Sequence, residues 1–231
     1  QTALYDLISK KNNQSLSSFI NPDFLSQVKS NGIYNLTSLD KYKVIKLKCG
    51  FRNLYDEIEL LDSLVQQTNS DIEFILDLNQ AYDLPKAIRF LKEIDRFNIR
   101  YIEQPLEYNQ LEDLEELRYH SDIPIALDES VTDIDSIDKV LDSNAADVFI
   151  LKPQSIGSFQ KLNQAIELIK NNNKKAVITS SLEGVIGRFC TMHLVSANHI
   201  TNTCGLALEK IYEHENNLFP KIENGIINIP D

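Results

Sequence analysis

The sequence lacks the features that mark several large protein classes. No apolar run approaches the roughly 18 residues of a transmembrane helix, so a membrane-spanning protein is excluded. Positive charge is scarce, because 23 Lys and Arg residues face 34 Asp and Glu residues and leave a net charge of −11. Nucleic acids and anionic membranes bind cationic surfaces, so neither is an expected partner.

Glycine and cysteine are also few, with seven and three residues in 231. No GxGxxG or GxxxxGK[ST] motif occurs, which argues against a phosphate-binding loop. Cys49, Cys190 and Cys204 are odd in number and lack CxxC or CxxH spacing, so they predict reduced thiols and no zinc site. Reduced thiols, and the lack of a basic start followed by an apolar segment, favour a cytoplasmic protein.

The sequence does contain a regular repeat of apolar, β-rich runs. Six runs follow one another at intervals of about 27 residues, at 42–48, 72–78, 99–105, 123–129, 147–153 and 175–181. Between them lie stretches with the apolar spacing of amphipathic helices, at 53–67, 84–97, 158–170 and 184–197. Alternating strands and helices indicate βαβ units and a parallel sheet. With further strands expected at 15–20 and 203–208, the pattern predicts a TIM-type α/β barrel, with a doubly wound open sheet as the alternative.

The repeat also suggests how the chain is divided. We expect a barrel domain over residues 1–208 that opens with an N-terminal helix, and a C-terminal extension over 209–231. The extension ends in a turn and a short strand. Because Gln1 already lies inside a helical pattern, we expect further protein upstream.

Charged residues end five successive predicted strands, where α/β barrels place their active sites. In chain order they are Lys46 and Lys48, Asp77, Glu103, Asp128 and Lys152. One acidic residue after a strand is usually a helix cap or turn former. Five charged strand ends in register, with lysines outside and acids inside, are not what capping predicts.

The three acidic strand ends predict a metal site. Asp77, Glu103 and Asp128 are 26 and 25 residues apart, which is one βα unit each. Three carboxylates at one barrel mouth repel one another unless a cation lies between them. A set of oxygen ligands suits Mg²⁺ or Mn²⁺.

A resemblance to the barrel domain of the enolase superfamily covers about residues 1–208. It is carried by the segments IKLKCG, FILDLNQAYDLPKAI, YIEQPL, IPIALDES, ILKPQSIG and ITSSLEGVIGR. Within the superfamily the chain looks most like the o-succinylbenzoate synthases of menaquinone biosynthesis. The resemblance implies a (β/α)7β barrel, with the superfamily's N-terminal capping domain absent from this chain.

The resemblance implies roles for individual residues. Lys48 matches the second lysine of the KxK pair and Lys152 the lysine across the site, and both are expected to be catalytic. Asp77, Glu103 and Asp128 match the ligands of Mg²⁺ or Mn²⁺. Expected substrate contacts are Lys46, Asn79, Ser180 and Ser181.

The implied activity is the metal-dependent syn-dehydration of 2-succinyl-6-hydroxy-2,4-cyclohexadiene-1-carboxylate, a small-molecule carboxylate. An N-acylamino acid racemase or dipeptide epimerase of the same superfamily is one alternative. Another is a barrel without its cap that binds a divalent ion or a partner but does not turn over.

Overall fold

A computed structural model describes residues 1–68, 71–207 and 218–230. The strands in these ranges are β1 (Gln27–Lys29), β2 (Gly32–Ile33), β3 (Val44–Lys48), β4 (Glu73–Asp77), β5 (Ile99–Glu103), β6 (Ile125–Leu127), β7 (Val148–Leu151), β8 (Lys175–Ile178), β9 (Ile222–Glu223) and β10 (Ile226–Asn228). The helices are α1 (Thr2–Lys11), α2 (Leu16–Ile20), α3 (Leu54–Gln67), α4 (Leu84–Ile94), α5 (Leu111–Arg118), α6 (Ile134–Asp142), α7 (Pro153–Ile156), α8 (Phe159–Asn171) and α9 (Val185–Ala197), with a 3₁₀ turn at Leu39–Lys41.

Strands β2 to β8 form one parallel sheet whose spatial order follows the chain. The segment after α9 joins the two edges of this sheet. Ser180 N donates to Gly205 O at 2.8 Å on the β8 side, and Asn31 N donates to Cys204 O at 3.0 Å on the β2 side. These contacts close the sheet into a barrel, as predicted, and exclude the doubly wound open sheet.

The core forms because strands and helices present apolar faces to one another. Strand β4 contributes Ile75 and Leu76, both fully buried. Helix α4 begins where the Asp83 side chain accepts a hydrogen bond from Lys86 N at 2.8 Å, which satisfies one of the otherwise free N–H groups of the first turn. Its apolar stripe then packs inward through Ala87, Phe90, Leu91 and Ile94.

The strand predicted at residues 15–20 is wrong, because these residues form helix α2. The Ser15 side chain accepts a hydrogen bond from Ser18 N and so caps the helix start. A short apolar run fits a strand and a buried helical turn equally well, and only the cap distinguishes them. The first strand of the barrel is instead β2, inside the segment 30–40 that carries little apolar periodicity.

The C-terminal part differs in detail from the predicted strand at 203–208. Only Cys204 and Gly205 form bridges there, and residue 208 lies outside the described residues. Within the predicted extension at 209–231, β9 and β10 form a hairpin whose second strand, β10, also pairs with β1. Residues 209–217 and 231 also lie outside the described residues, so the division at 208 stays a prediction.

Cys49, Cys190 and Cys204 are all buried free thiols. In the described ranges, no helix is both long enough and apolar enough to cross a membrane.

Acid is expected to weaken the packing of α9 against α2 through His193. This side chain is 8% exposed, and its Nδ1 lies 2.5 Å from Ser17 Oγ. Burial lowers the pKa of His193 to about 4, against the opposing charge of Asp6. Between that pKa and the ordinary value of about 6.5 the unfolded chain binds the extra proton, so stability is lost as the pH falls through this window.

The loss assigned to this histidine amounts to about 3 kcal/mol of unfolding free energy between pH 7 and pH 4. Urea unfolding of the unchanged protein and of His193→Gln across this range measures it. His120→Gln, at a side chain that is 38% exposed, serves as the control. An equal pH dependence for the unchanged protein and His193→Gln would contradict the assignment.

Candidate active site

A cavity of about 450 Å³ opens at the carboxyl ends of the barrel strands. Most of the predicted site residues line it, namely Lys46, Lys48, Asp77, Asn79, Asp128, Lys152, Ser180 and Ser181. Glu103 does not line the cavity, but its side chain contacts Lys46, which does. The structure therefore brings all nine predicted residues into one region.

The three carboxylates lie near one another because each follows or ends one of three neighbouring strands. Lys48 is the register partner of Asp77, and Asp77 is the register partner of Glu103. Asp128 follows the end of β6 directly. Asp77 and Glu103 are 2% exposed and Asp128 is 9% exposed, so three acidic groups are buried side by side.

Lys46 lies between two of these acids. Its Nζ is 2.7 Å from both carboxylate oxygens of Glu103 and 2.9 Å from Asp77 Oδ2. Burial alone lowers the pKa of Lys46, but the charges of Glu103 and Asp77 outweigh it and raise the pKa above its ordinary value. Lys46 is therefore an ammonium ion at neutral pH, which does not suit the role of a proton acceptor.

Neighbouring charges also shift the pKa values of Asp77 and Glu103. Burial raises the pKa of Asp77, but Lys46 and Lys48 outweigh it and lower the pKa below its ordinary value. For Glu103, burial is the larger influence and the charges of Asp77 and Asp128 add to it, so the pKa rises to about 7 despite Lys46. The cluster is thus crowded with negative charge.

Lys48 and Lys152 have different partners in the same cavity. Lys48 Nζ is 2.7 Å from Asn79 Oδ1, a neutral amide oxygen, and 3.4 Å from Asp77 Oδ2. Lys152 Nζ is 2.5 Å from Asp128 Oδ2 and forms an ion pair. Lys48 extends from β3 and Lys152 follows β7, four strands further along the sheet.

Asn79 is held in one orientation by its second partner. Its Nδ2 donates to Glu129 Oε1 at 2.7 Å, and a carboxylate can only accept. The amide oxygen must therefore face Lys48. In this structure Asn79 contacts the lysine through its side chain and Asp77 through its backbone N–H.

The hydroxyl groups of the two predicted serines both donate hydrogen bonds to other side chains of the protein. Ser180 Oγ donates to Glu183 Oε2 at 2.8 Å, and Ser181 Oγ donates to Gln154 Oε1 at 3.0 Å. Glu183 also accepts from Ser181 N at 2.6 Å and from Thr191 Oγ1 at 2.7 Å. The loop after β8 is thereby tied to α9, a role of Glu183 that sequence reasoning missed.

The donor set fits a hard divalent cation. As the side chains stand, no three His, Cys, Asp or Glu residues in the described part of the chain are spaced to share one ion. Lysine ammonium groups contact all three carboxylates instead. Asp77, Glu103 and Asp128 are nevertheless buried carboxylates, and the charges of Asp77 and Asp128 raise the pKa of Glu103. They supply the anionic oxygen ligands that Mg²⁺ or Mn²⁺ prefers.

Curated proteins with sequences similar to this chain include enzymes of two kinds. An o-succinylbenzoate synthase of Bacillus subtilis (strain 168) is 25% identical over an alignment of 243 positions. The alignment covers 99% of this chain and 64% of the relative. An L-amino acid-D/L-Glu epimerase of Francisella philomiragia subsp. philomiragia is 27% identical over 162 residues, 69% of this chain and 45% of the relative. The chain thus matches about half to two thirds of the length of these relatives.

A solved structure has the same fold. L-talarate dehydratase from Polaromonas sp. JS666, complexed with Mg and L-glucarate, superposes with a TM-score of 0.82 at 21% identity, covering 99% of this chain and 66% of that one. The family model for "Enolase C-terminal domain-like" proteins matches residues 32–231. The chain therefore belongs to the enolase C-terminal domain-like family.

Proposed function

We propose that this chain is the barrel of an o-succinylbenzoate synthase. The reaction eliminates water from 2-succinyl-6-hydroxy-2,4-cyclohexadiene-1-carboxylate and forms 2-succinylbenzoate. The observation that carries the proposal is the unequal environment of the two cavity lysines. Lys48 Nζ lies 2.7 Å from an amide oxygen and 3.4 Å from Asp77 Oδ2, whereas Lys152 Nζ is ion-paired with Asp128 Oδ2 at 2.5 Å. One base and one stabilising cation suit a dehydration, whereas a racemase needs two bases.

The bonds of the reaction can be assigned to these residues. Lys48 removes the proton α to the carboxylate, and the electrons of that C–H bond pass into the carboxylate as an enediolate. Lys48 then returns the proton to the departing hydroxyl on the same face, the C–O bond breaks, and water leaves. The ring becomes aromatic, which makes the step strongly favourable. Lys152 lies across the cavity and stabilises the enediolate charge.

Asp77, Glu103 and Asp128 are the proposed ligands of Mg²⁺ or Mn²⁺. When bound, this cation supplies positive charge to the substrate carboxylate. Lys46 holds Asp77 and Glu103 in their places by direct contact and adds a second positive charge near Lys48. Ser180 and Ser181 shape the opposite wall of the cavity beside Lys152.

A racemase or epimerase is the second candidate. It is supported by the epimerase relative and by the presence of two lysines in one cavity. Such an enzyme would move the α-proton of an amino acid derivative from one face to the other. The same barrel chemistry therefore serves both candidates, and the substrate decides between them.

The experiment is a substrate comparison on the full-length gene product with Mg²⁺. We expect loss of the cyclohexadiene absorbance and formation of 2-succinylbenzoate. N-succinylamino acids and L-Ala-L-Glu, followed by exchange of the α-proton in D₂O, test the second candidate. Turnover of these compounds without dehydration of the cyclohexadiene would refute the synthase proposal.

A further inference from the structure

Gln104 is a fully buried polar residue next to a proposed metal ligand. It follows Glu103 at the end of β5 and has no exposed surface. Its φ is +40°, in the left-handed region that residues other than glycine seldom adopt. Such a backbone persists only where surrounding contacts enforce it, so the partners of Gln104 are informative.

The main chain of Gln104 joins the ends of three neighbouring strands. Its N–H donates to Ala126 O on β6 at 2.8 Å, and its C=O accepts from Gln80 N, just beyond β4, at 2.8 Å. Strands β4, β5 and β6 lead to Asp77, Glu103 and Asp128 respectively. One residue thus bridges the three chain segments that carry the three carboxylates.

The side chain strengthens the link to the third carboxylate. Gln104 Oε1 accepts from Asp128 N and from Ser130 N, both at 3.1 Å. Gln104 Nε2 donates to Leu106 O at 3.0 Å and contacts Ser130 Oγ at 2.9 Å. Only a planar amide of this length offers an acceptor to two backbone N–H groups and donors to a carbonyl and a hydroxyl at once.

We propose that Gln104 is a positioning residue for the divalent-cation site, setting the backbone of Asp128 relative to Glu103 and Asp77. The inference rests on the proposed function, since it presupposes that these carboxylates bind Mg²⁺. Gln104 touches none of the three carboxylate groups and acts through the backbone between them. Metal sites need ligand positions accurate to a few tenths of an ångström, which a loose loop after β6 would not provide.

The test is the Mg²⁺ affinity of Gln104→Met in the full-length protein, measured by isothermal titration calorimetry. Methionine has a similar length and removes the hydrogen bonds of the Gln104 amide. The expected loss of affinity is about 10–100-fold, the usual effect of removing a group that supports metal ligands. Circular dichroism shows whether the variant is folded. If it is not, Gln104→Asn keeps the amide but shortens its reach, and it is expected to weaken Mg²⁺ binding in the same direction.

A stability control separates positioning from general support of the fold. Ser17→Ala removes an equally buried polar contact, to His193, on the α2 and α9 side of the barrel. It is expected to lower the melting temperature and leave the Mg²⁺ affinity unchanged. A folded Gln104 variant with unchanged Mg²⁺ affinity overturns the inference. Failure of the unchanged protein to bind Mg²⁺ is a different result, which overturns the proposed function and this inference with it.

Discussion

Replacing Lys48 with arginine is expected to reduce strongly both dehydration and the exchange of the substrate α-proton with solvent deuterium. Arginine keeps the positive charge, but its guanidinium does not lose a proton in the accessible pH range and cannot serve as a base. General acid–base groups contribute about 10²–10⁴-fold to rates, so a loss of that size is expected. The measurement is product formation and deuterium incorporation by NMR on the full-length protein.

Lys152→Arg is the matched control, because the same substitution is made across the same cavity. It preserves the positive charge beside Asp128, so slow turnover or exchange should remain. A racemase predicts another pattern, in which each variant loses exchange for one enantiomer of its substrate. Equal, enantiomer-specific losses in the two variants would favour the racemase over the synthase.

Replacing Glu103 with glutamine is expected to remove most of the Mg²⁺ affinity. The change deletes one negative charge from a cluster of three and leaves a neutral amide in place of a ligand. Removing a group that only supports a metal ligand already lowers metal affinity by about 10–100-fold. Removing a direct ligand is therefore expected to lower the Mg²⁺ affinity by more than about 100-fold. Titration calorimetry with Mg²⁺ measures the change.

Thermal unfolding gives a second measurement of the same effect. Mg²⁺ that binds only the folded state stabilises it, by about 2.7 kcal/mol at a concentration 100 times its Kd. This stabilisation should be present in the unchanged protein and lost in Glu103→Gln. Glu73→Gln is the control, because Glu73 begins the neighbouring strand and pairs with Arg100. Equal Mg²⁺ stabilisation in Glu103→Gln and Glu73→Gln would remove Glu103 from the ligand set.

Both predictions depend on the same local arrangement. Lys46 contacts Glu103 and Asp77, and Lys48 contacts Asp77, so the proposed base and the proposed ligands share partners. Changes at Glu103 will therefore also move Lys46. For that reason metal affinity and proton exchange have to be measured separately in each variant.

Much of the architecture follows from local sequence pattern. Apolar runs with helices between them identify parallel βαβ units, because a strand buried on both faces must be apolar along its length. The charges that end these runs are predicted to share one cavity, since parallel strands end at the same face of a barrel. Lys48, Asp77 and Lys152 lie where this reasoning puts them.

Short strands and helices could not be predicted from the apolar pattern of the sequence. Residues 15–20 have an apolar pattern that fits a strand, but the cap at Ser15 makes them helix α2. The barrel strand β2 has only two residues, too few for any periodicity. Closure at Cys204 and Gly205 likewise depends on bridges to distant residues rather than on a run of strand-forming side chains.

Residue type and spacing along the chain were enough to predict the repeat of strands and helices, the net negative charge and the charged residues at the strand ends. Tertiary contacts set which lysine pairs with which acid, how Glu183 connects the loop after β8 to α9, and how Gln104 bridges three strand ends. Those contacts join residues far apart in sequence, and their energies depend on burial and on interatomic distance. Neither quantity exists until the sheet has closed.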